Sequence, residues 1–308
     1  MALKAVQIEG AWIIETPDGR RIEPLRFGGV FHSRRIANAV IDYLEHPKPV
    51  AESIPEARLE PANAADNKVL RALAADRIRK TTESRMSLLK QIAANHGLGW
   101  STETVKAVRP YIGGIKIGPP FLLENGLEAC REISEGFDLF LDLKFHDIPT
   151  TVQASVTAAA RALQPTFLTV HCGAGTDYEM LLAARASTIL LPMPPRLLGV
   201  TRLTSLPANL ESVNDYADNA YHAGFAGVVC ASQEVDFFRQ KFGPNFILMV
   251  PGIRETTETH DQKRTGTALA TMQAGANFLV IGRAIHAAPD PVFAAKTIFN
   301  TLKDHGYA

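Results

Sequence analysis

From Tyr111 onward, short apolar runs alternate with longer stretches whose apolar residues recur at helical spacing. The runs are Gly114–Ile117, Phe137–Leu143, Thr166–Val170, Leu197–Val200, Ala226–Cys230, Phe246–Val250 and Asn277–Ile281. Each lies roughly 20 to 30 residues from the next, which predicts seven parallel strands joined by right-handed helical crossovers. A closed (β/α)8 barrel needs an eighth strand, which has to come from upstream; a doubly wound open sheet does not need one.

The upstream pattern is different. Residues 8–27 read as a hairpin, with Trp12-Ile-Ile-Glu-Thr and Arg20-Arg-Ile flanking the turn sequence Pro17-Asp18-Gly19. Ser33 can cap a helix running to about His46, with Ile36, Val40, Tyr43 and Leu44 on one face. Pro47, Pro49, Pro55 and Pro61 mark a linker or irregular arm. From Asn67 to about Ala94 helical spacing returns through Leu70, Leu73, Ile78, Met86, Leu89 and Ile92, as one helix or two broken near Thr81-Thr82. The expected architecture is α/β, a (β/α)8 TIM barrel over residues 86–308 preceded by an extension over 1–85.

Composition narrows the partners. The chain carries 32 basic and 32 acidic side chains, so no global field draws it to nucleic acid or to an acidic membrane. Any anion site must be local. Cys130, Cys172 and Cys230 are odd in number and lack C-x-x-C spacing, against a disulfide framework or a zinc site. The first residues hold no apolar core of signal-peptide length, and no run of 18 apolar residues occurs, so a soluble cytoplasmic protein is expected.

Candidate chemistry sits where the run Phe137–Leu143 ends. Strand alternation puts Asp142 and Lys144 on one face, with Asp147 just beyond. In parallel barrels and doubly wound sheets the C-terminal ends of strands carry the chemistry. The bare Asp-x-Lys-x-x-Asp triplet is weak, arising by chance in roughly one chain in fifteen of this length. Solvated charges at a strand end explain it equally well. The longer string Asp-Leu-Lys-Phe-His-Asp-Ile-Pro-Thr-Thr, ending at Thr151, is far less accidental. It resembles the signature of orotidine 5'-phosphate decarboxylases, and the similarity extends from about Tyr111 to Leu302.

That resemblance implies roles residue by residue. Lys116, in Gly-Gly-Ile-Lys-Ile-Gly, would join Asp142, Lys144 and Asp147 in the family's Lys-Asp-Lys-Asp network. Asp147, Ile148 and Thr151 would serve the site of a second subunit, making the protein a homodimer with shared active sites. Thr204 matches the contact to the pyrimidine, and Gln262 the glutamine that bridges phosphate and base. Pro251-Gly-Ile-Arg254 and Gly282-Arg283 match the phosphate gripper. A lone Gly-Arg is usually an ordinary turn, but two such loops at consecutive strand ends occupy the usual phosphate position of barrels. There Gly282 lets the backbone approach an anion, and Arg254 and Arg283 supply charged forks.

The implied reaction converts orotidine 5'-monophosphate to UMP with no metal and no organic cofactor. The C6 carboxylate would lie near Asp142 and Asp147, and Lys144 would stabilise the carbanion and protonate C6. His146 and His171 read as structural, and Cys172 as a packed thiol. Two alternatives stay open: a magnesium-dependent sugar-phosphate lyase of the same superfamily, and a barrel that binds UMP without turnover. The lyases place a glutamate where Lys116 stands.

The chain departs from the family pattern at its first strand. The family's ribose-binding Asp lies about 22 residues before the lysine matched by Lys116, which here lands on Ala94, with Asn95 next. Either Asn95 takes the position after a one-residue slip, or the strand lies further upstream, at Trp12–Ile14 or Phe27–Phe31. Thr150 also replaces the family's usual asparagine, and the first 85 residues carry no phosphoribosyltransferase signature.

Overall fold

The structure, a computed structural model, describes residues 4–8, 11–15, 21–22, 91–95 and 102–307, the last range apart from 174, 177, 190, 204–208 and 255–265. The expected helix at 33–46, the proline-rich arm and the helical pattern over 67–90 lie outside these residues.

Near the N-terminus, β1 (Lys4–Ile8), β2 (Ala11–Glu15) and β3 (Arg21–Ile22) form a three-stranded sheet in that order. The β2–β3 pairing, Ile14 opposite Ile22 and Glu15 opposite Arg21, is the expected hairpin. β1 is an addition, antiparallel to β2 from Lys4 opposite Glu15 to Ile8 opposite Ala11.

Eight parallel strands form a closed barrel. They are β4 (Gln91–Asn95), β5 (Gly114–Ile117), β6 (Asp138–Phe145), β7 (Phe167–His171), β8 (Arg196–Val200), β9 (Gly227–Val229), β10 (Ile247–Pro251) and β11 (Phe278–Ile281). The seven apolar runs became β5 to β11, with no end shifted by more than two residues. Closure comes from β11 pairing with β4, and it removes the open-sheet alternative.

β4 corrects the sequence reading. Gln-Ile-Ala-Ala-Asn has helical spacing, yet hydrogen bonding to β11 on one side and β5 on the other makes it a strand. Tertiary pairing overrides the weak local preference. The upstream candidates Trp12–Ile14 and Phe27–Phe31 are therefore not the barrel's first strand. The register sets Ala94 opposite Lys116 and Asn95 opposite Ile117, so the position beside Lys116 is an alanine.

The helices are α1 (Thr102–Val108), α2 (Pro119–Ser134), α3 (Pro149–Leu163), α4 (Tyr178–Ile189), α5 (Leu210–His222), α6 (Val235–Phe242), α7 (Ala268–Gln273), α8 (Arg283–His286) and α9 (Pro291–Asp304). Proline opens α2, α3 and α9, where its missing N–H costs nothing and its fixed φ suits the first turn. Asn209, Thr267 and Asp290 cap α5, α7 and α9 by accepting from the backbone of Ser212, Ala270 and Phe293. No helix among the described residues is long and apolar enough to cross a membrane.

Alternation along the strands builds two apolar layers. Ile115, Leu139, Leu141, Leu168, Val170, Leu197, Leu248 and Leu279 face the helices in the larger cluster. Phe140, Phe167, Leu198, Ile247, Met249 and Val280 form the smaller one, which fills the barrel interior. Phe140 and Phe167 meet edge to face at 6.2 Å between ring centroids. The interior is thus a solid plug, and the next inward positions towards the C-terminal ends of β6 and β7 are Asp142 and Thr169.

Close approach of β9 and β10 depends on Gly227, where an added Cβ would collide with the carbonyl oxygen of Ile247. Backbone cannot yield there as a side chain can. Gly227→Ala is expected to cost about 1–3 kcal/mol, the usual penalty of overpacking, read as a lower urea midpoint at unchanged slope. An unchanged midpoint would show that the barrel wall gives at this point.

Candidate active site

Two neighbouring strands place three charged groups in contact. Lys116 stands on β5, in a strand buried throughout, and Asp142 stands on β6 beside it. Lys116 Nζ donates to Asp142 Oδ2 at 3.0 Å, and Lys144 Nζ donates to the same oxygen at 2.7 Å. The side chains of Lys116 and Asp142 are 7% and 9% exposed, whereas that of Lys144 is 33% exposed. A buried charge survives only when paired and hydrogen-bonded, and one carboxylate here serves two ammonium groups. Lys144 is the partner that also reaches solvent, which suits it to meet a substrate.

Electrostatics follows from this geometry. Burial opposes the Asp142 carboxylate, but the charges and hydrogen bonds of Lys116 and Lys144 outweigh it and hold its pKa well below the ordinary carboxylate range. Burial acts the other way on Lys116, drawing its pKa below the ordinary lysine value. Asp142 resists that shift and nearby Lys144 adds to it.

The second oxygen of Asp142 is also held. Its Oδ1 accepts from Thr169 Oγ1 at 3.0 Å, and the same hydroxyl accepts from the backbone N–H of Lys144 at 2.8 Å. Thr169 was not among the residues singled out from the sequence. A threonine within an apolar strand is an ordinary β-former, so nothing local marked it.

Asp147, Ile148 and Thr151 do not join this cluster within the chain. All three are exposed where β6 passes into α3, and Asp147 Oδ1 accepts from the backbone N–H of Ile148 at 2.7 Å. His146 and His171 lie with ring centroids 5.5 Å apart, and His146 Nε2 is 3.4 Å from the carbonyl oxygen of Gly175. The pKa of His171 is lowered by burial, then by His146 and Lys144, against Asp142. Cys172 is fully buried, and burial pushes its thiol pKa up, as suits a packed, unreactive sulfur.

A second cationic group gathers beyond β10 and β11. Pro251 ends β10, and Arg254 is 8% exposed, its backbone N–H donating to Gly266 and its Nη1 to the carbonyl of Ile253. Buried Gly282 precedes α8, and half-buried Arg283 opens it. His286, three residues after Arg283, has its pKa lowered by burial, by Arg283 and, more weakly, by Arg254, against a bond to its own backbone. His286 shares α8 with Arg283, and burial and the two arginines favour its neutral imidazole over the cation. His286 is a member that the sequence reading missed, although the i, i+3 spacing from Arg283 was a usable signal. Thr204 and Gln262 lie outside the described residues.

Over its barrel the chain is similar to known proteins. Residues 98–298 match the model of the orotidine 5'-phosphate decarboxylase / HUMPS family. The chain is 38% identical over 220 residues to orotidine 5'-phosphate decarboxylase of Rhodospirillum rubrum, covering 65% of this chain and 88% of that one. It is 39% identical over 209 residues to the Gluconobacter oxydans protein of the same name, covering 62% and 86%. The crystal structure of orotidine 5'-phosphate decarboxylase from Lactobacillus acidophilus superposes with a TM-score of 0.57 at 29% identity, covering 68% of this chain and 96% of that one.

Replacing Asp142 by Asn leaves two ammonium groups facing a neutral amide. Breaking a buried pair in this way costs about 3–5 kcal/mol. The folded pKa of Asp142 lies below the unfolded value of about 3.9. Its stabilisation is therefore complete above that pH and is lost as pH falls through the folded value. Denaturant unfolding should show Asp142→Asn less stable than the parent at pH 7, with the gap closing below about pH 4. A gap independent of pH would mean that the contact is not held by charge.

Proposed function

Because this chain belongs to the orotidine 5'-phosphate decarboxylase / HUMPS family, we propose that it decarboxylates orotidine 5'-monophosphate to UMP, as a step of pyrimidine biosynthesis. The observation that carries this reading is the Asp142 carboxylate shared by Lys116 and Lys144 above an apolar barrel plug. One carboxylate against two ammonium groups leaves an excess positive charge, suited to an anionic substrate. Lys116 also weighs against the magnesium-dependent lyases, since an ammonium in that position repels a divalent cation.

In the proposed reaction the C6 carboxylate of the substrate lies against Asp142, and like-charge crowding is relieved as the bond to C6 breaks. The electron pair left on C6 is stabilised by the Lys144 ammonium, which then gives it a proton; CO2 leaves, and Lys144 recovers its proton from water. No metal or organic cofactor takes part. Enzymes supply roughly 8–23 kcal/mol of transition-state stabilisation, more than one lysine provides. Binding through a phosphate held by Arg254, Arg283 and the backbone at Gly282, with Pro251 beside them, supplies part of the remainder. Thr204 and Gln262 are proposed to contact the pyrimidine and to bridge phosphate and base.

The assembly proposed is a cytoplasmic homodimer in which Asp147, Ile148 and Thr151 complete the partner's site. Its support is surface chemistry. Ile148 is 63% exposed beside a charged loop, and Leu123 on α2 is 82% exposed, an arrangement that a second copy would cover. Residues 86–308 form the catalytic unit in this proposal, and 1–85 an extension to it.

A second reading, a barrel that binds UMP without turnover, draws on Ala94 standing opposite Lys116 where the family carries its ribose-binding Asp. One assay separates the readings. The purified protein with EDTA present is expected to decarboxylate orotidine 5'-monophosphate, followed by pyrimidine absorbance, and Lys144→Ala to lower kcat by about 10²–10⁴-fold or more. UMP binding without turnover would favour the second reading, and loss of activity in EDTA would favour the metal-dependent lyase. The shared site has its own test: mixing inactive Lys144→Ala and Asp147→Ala proteins is expected to restore about a quarter of parental activity, through heterodimers with one intact site. No recovery after subunit exchange would place Asp147 in its own subunit's site or outside both.

A further inference from the structure

We propose that Thr169 is a positioning residue of this site, its hydroxyl fixing Lys144 and Asp142 relative to each other before substrate arrives; the catalytic part of this inference rests on the decarboxylase reading above. The argument begins in the β6–β7 ladder. The register runs Phe140 with Phe167 and Leu141 with Leu168, then resumes only at Phe145 with Val170. β6 thus carries two more residues than β7 across this interval, and the surplus bulges beside the site. Bulges interrupt the ladder and re-aim side chains.

Lys144 sits within that bulge with φ of +52°, in the left-handed region. A residue with a Cβ holds this conformation only where its surroundings impose it. Its N–H no longer meets a ladder carbonyl and donates instead to Thr169 Oγ1 at 2.8 Å. Thr169 is completely buried on β7, so water is no substitute for that acceptor. The same hydroxyl has one proton to give, and it goes to Asp142 Oδ1 at 3.0 Å.

One side chain therefore ties together the two parts of the site that must stay in register. With Oδ1 held by Thr169, Oδ2 is the oxygen left for both lysines, at 3.0 and 2.7 Å. Rotation of the carboxylate would break all three bonds together. With its N–H held by the same oxygen, Lys144 keeps the backbone turn that brings Nζ back onto the carboxylate two residues earlier. Packing alone would need only the shape of threonine. The pair of hydrogen bonds needs a group that donates and accepts, which serine supplies and valine does not.

The experiment compares Thr169→Val, Thr169→Ser and the parent by kcat, KM and UMP affinity. A misplacement of about 1 Å costs on the order of 10²-fold in rate, so Thr169→Val should lose about that much in kcat while its UMP Kd stays within about threefold. Thr169→Ser should recover kcat to within about threefold of the parent. Thr169→Val with parental kcat overturns the proposal, as does Thr169→Ser failing alongside it, which would make the methyl group the important part. If Thr169→Val does not fold, Thr169→Ala, which adds no bulk, replaces it under the same criteria. An inactive parent would sink the decarboxylase reading but leave positioning open to a direct measurement. Crystal structures of the parent and Thr169→Ala should then differ at Lys144, with loss of its positive φ or of the Nζ–Oδ2 contact. Retention of both would overturn the positioning role.

Discussion

Everything at the mouth of this barrel depends on the cost of keeping charge out of water. Lys116 is too buried to be solvated, so it needs Asp142, and Asp142 needs enough donors to stay ionised. Lys116, Lys144 and Thr169 provide them. The result is a carboxylate with no freedom to turn and two cations with fixed positions. Such prearranged charge is what a developing negative centre requires, because no solvent has to reorganise during the reaction. The chain is neutral overall, so this field is confined to the site and is not diluted into a general attraction for anions.

The plug beneath the site is the other half of the arrangement. Phe140 and Asp142 are two residues apart on one strand and share its inward face, as do Phe167 and Thr169 on the next. Each strand thus changes from apolar to polar within a single step. Below the step, aromatic rings exclude water and keep the local dielectric low; above it, the same low dielectric strengthens every contact that Asp142 makes.

Much of this is legible in the amino-acid sequence, and the exceptions have physical causes. β5 to β11 announced themselves because strands buried on both faces must be apolar at nearly every position. β4 did not, since Gln-Ile-Ala-Ala-Asn has small residues and good helix formers, and its conformation is decided by neighbours distant in sequence. Asp142 and Lys144 could be paired from alternation alone, but their joining to Lys116 rested on family resemblance until the β5–β6 register set Lys116 beside Phe140. The bulge that turns Lys144 was invisible, because Leu143-Lys144-Phe145 continues an unbroken alternation. Thr169 was hidden for the same kind of reason: its role belongs to the bond pattern and not to its residue type.

The β4–β11 pairing has a kinetic side. It joins the first barrel strand to the last, so the contact that closes the cylinder spans the largest loop in the domain and forms against the largest entropy of closure. During synthesis β4 emerges before all seven of its companions and has no partner from β11 until nearly the whole barrel is made. Until that moment two strand edges stand open, one at each end of a curling sheet, and each is a template for a strand from another molecule. The same closure that gives the finished barrel no edges makes its assembly the period of greatest exposure to aggregation.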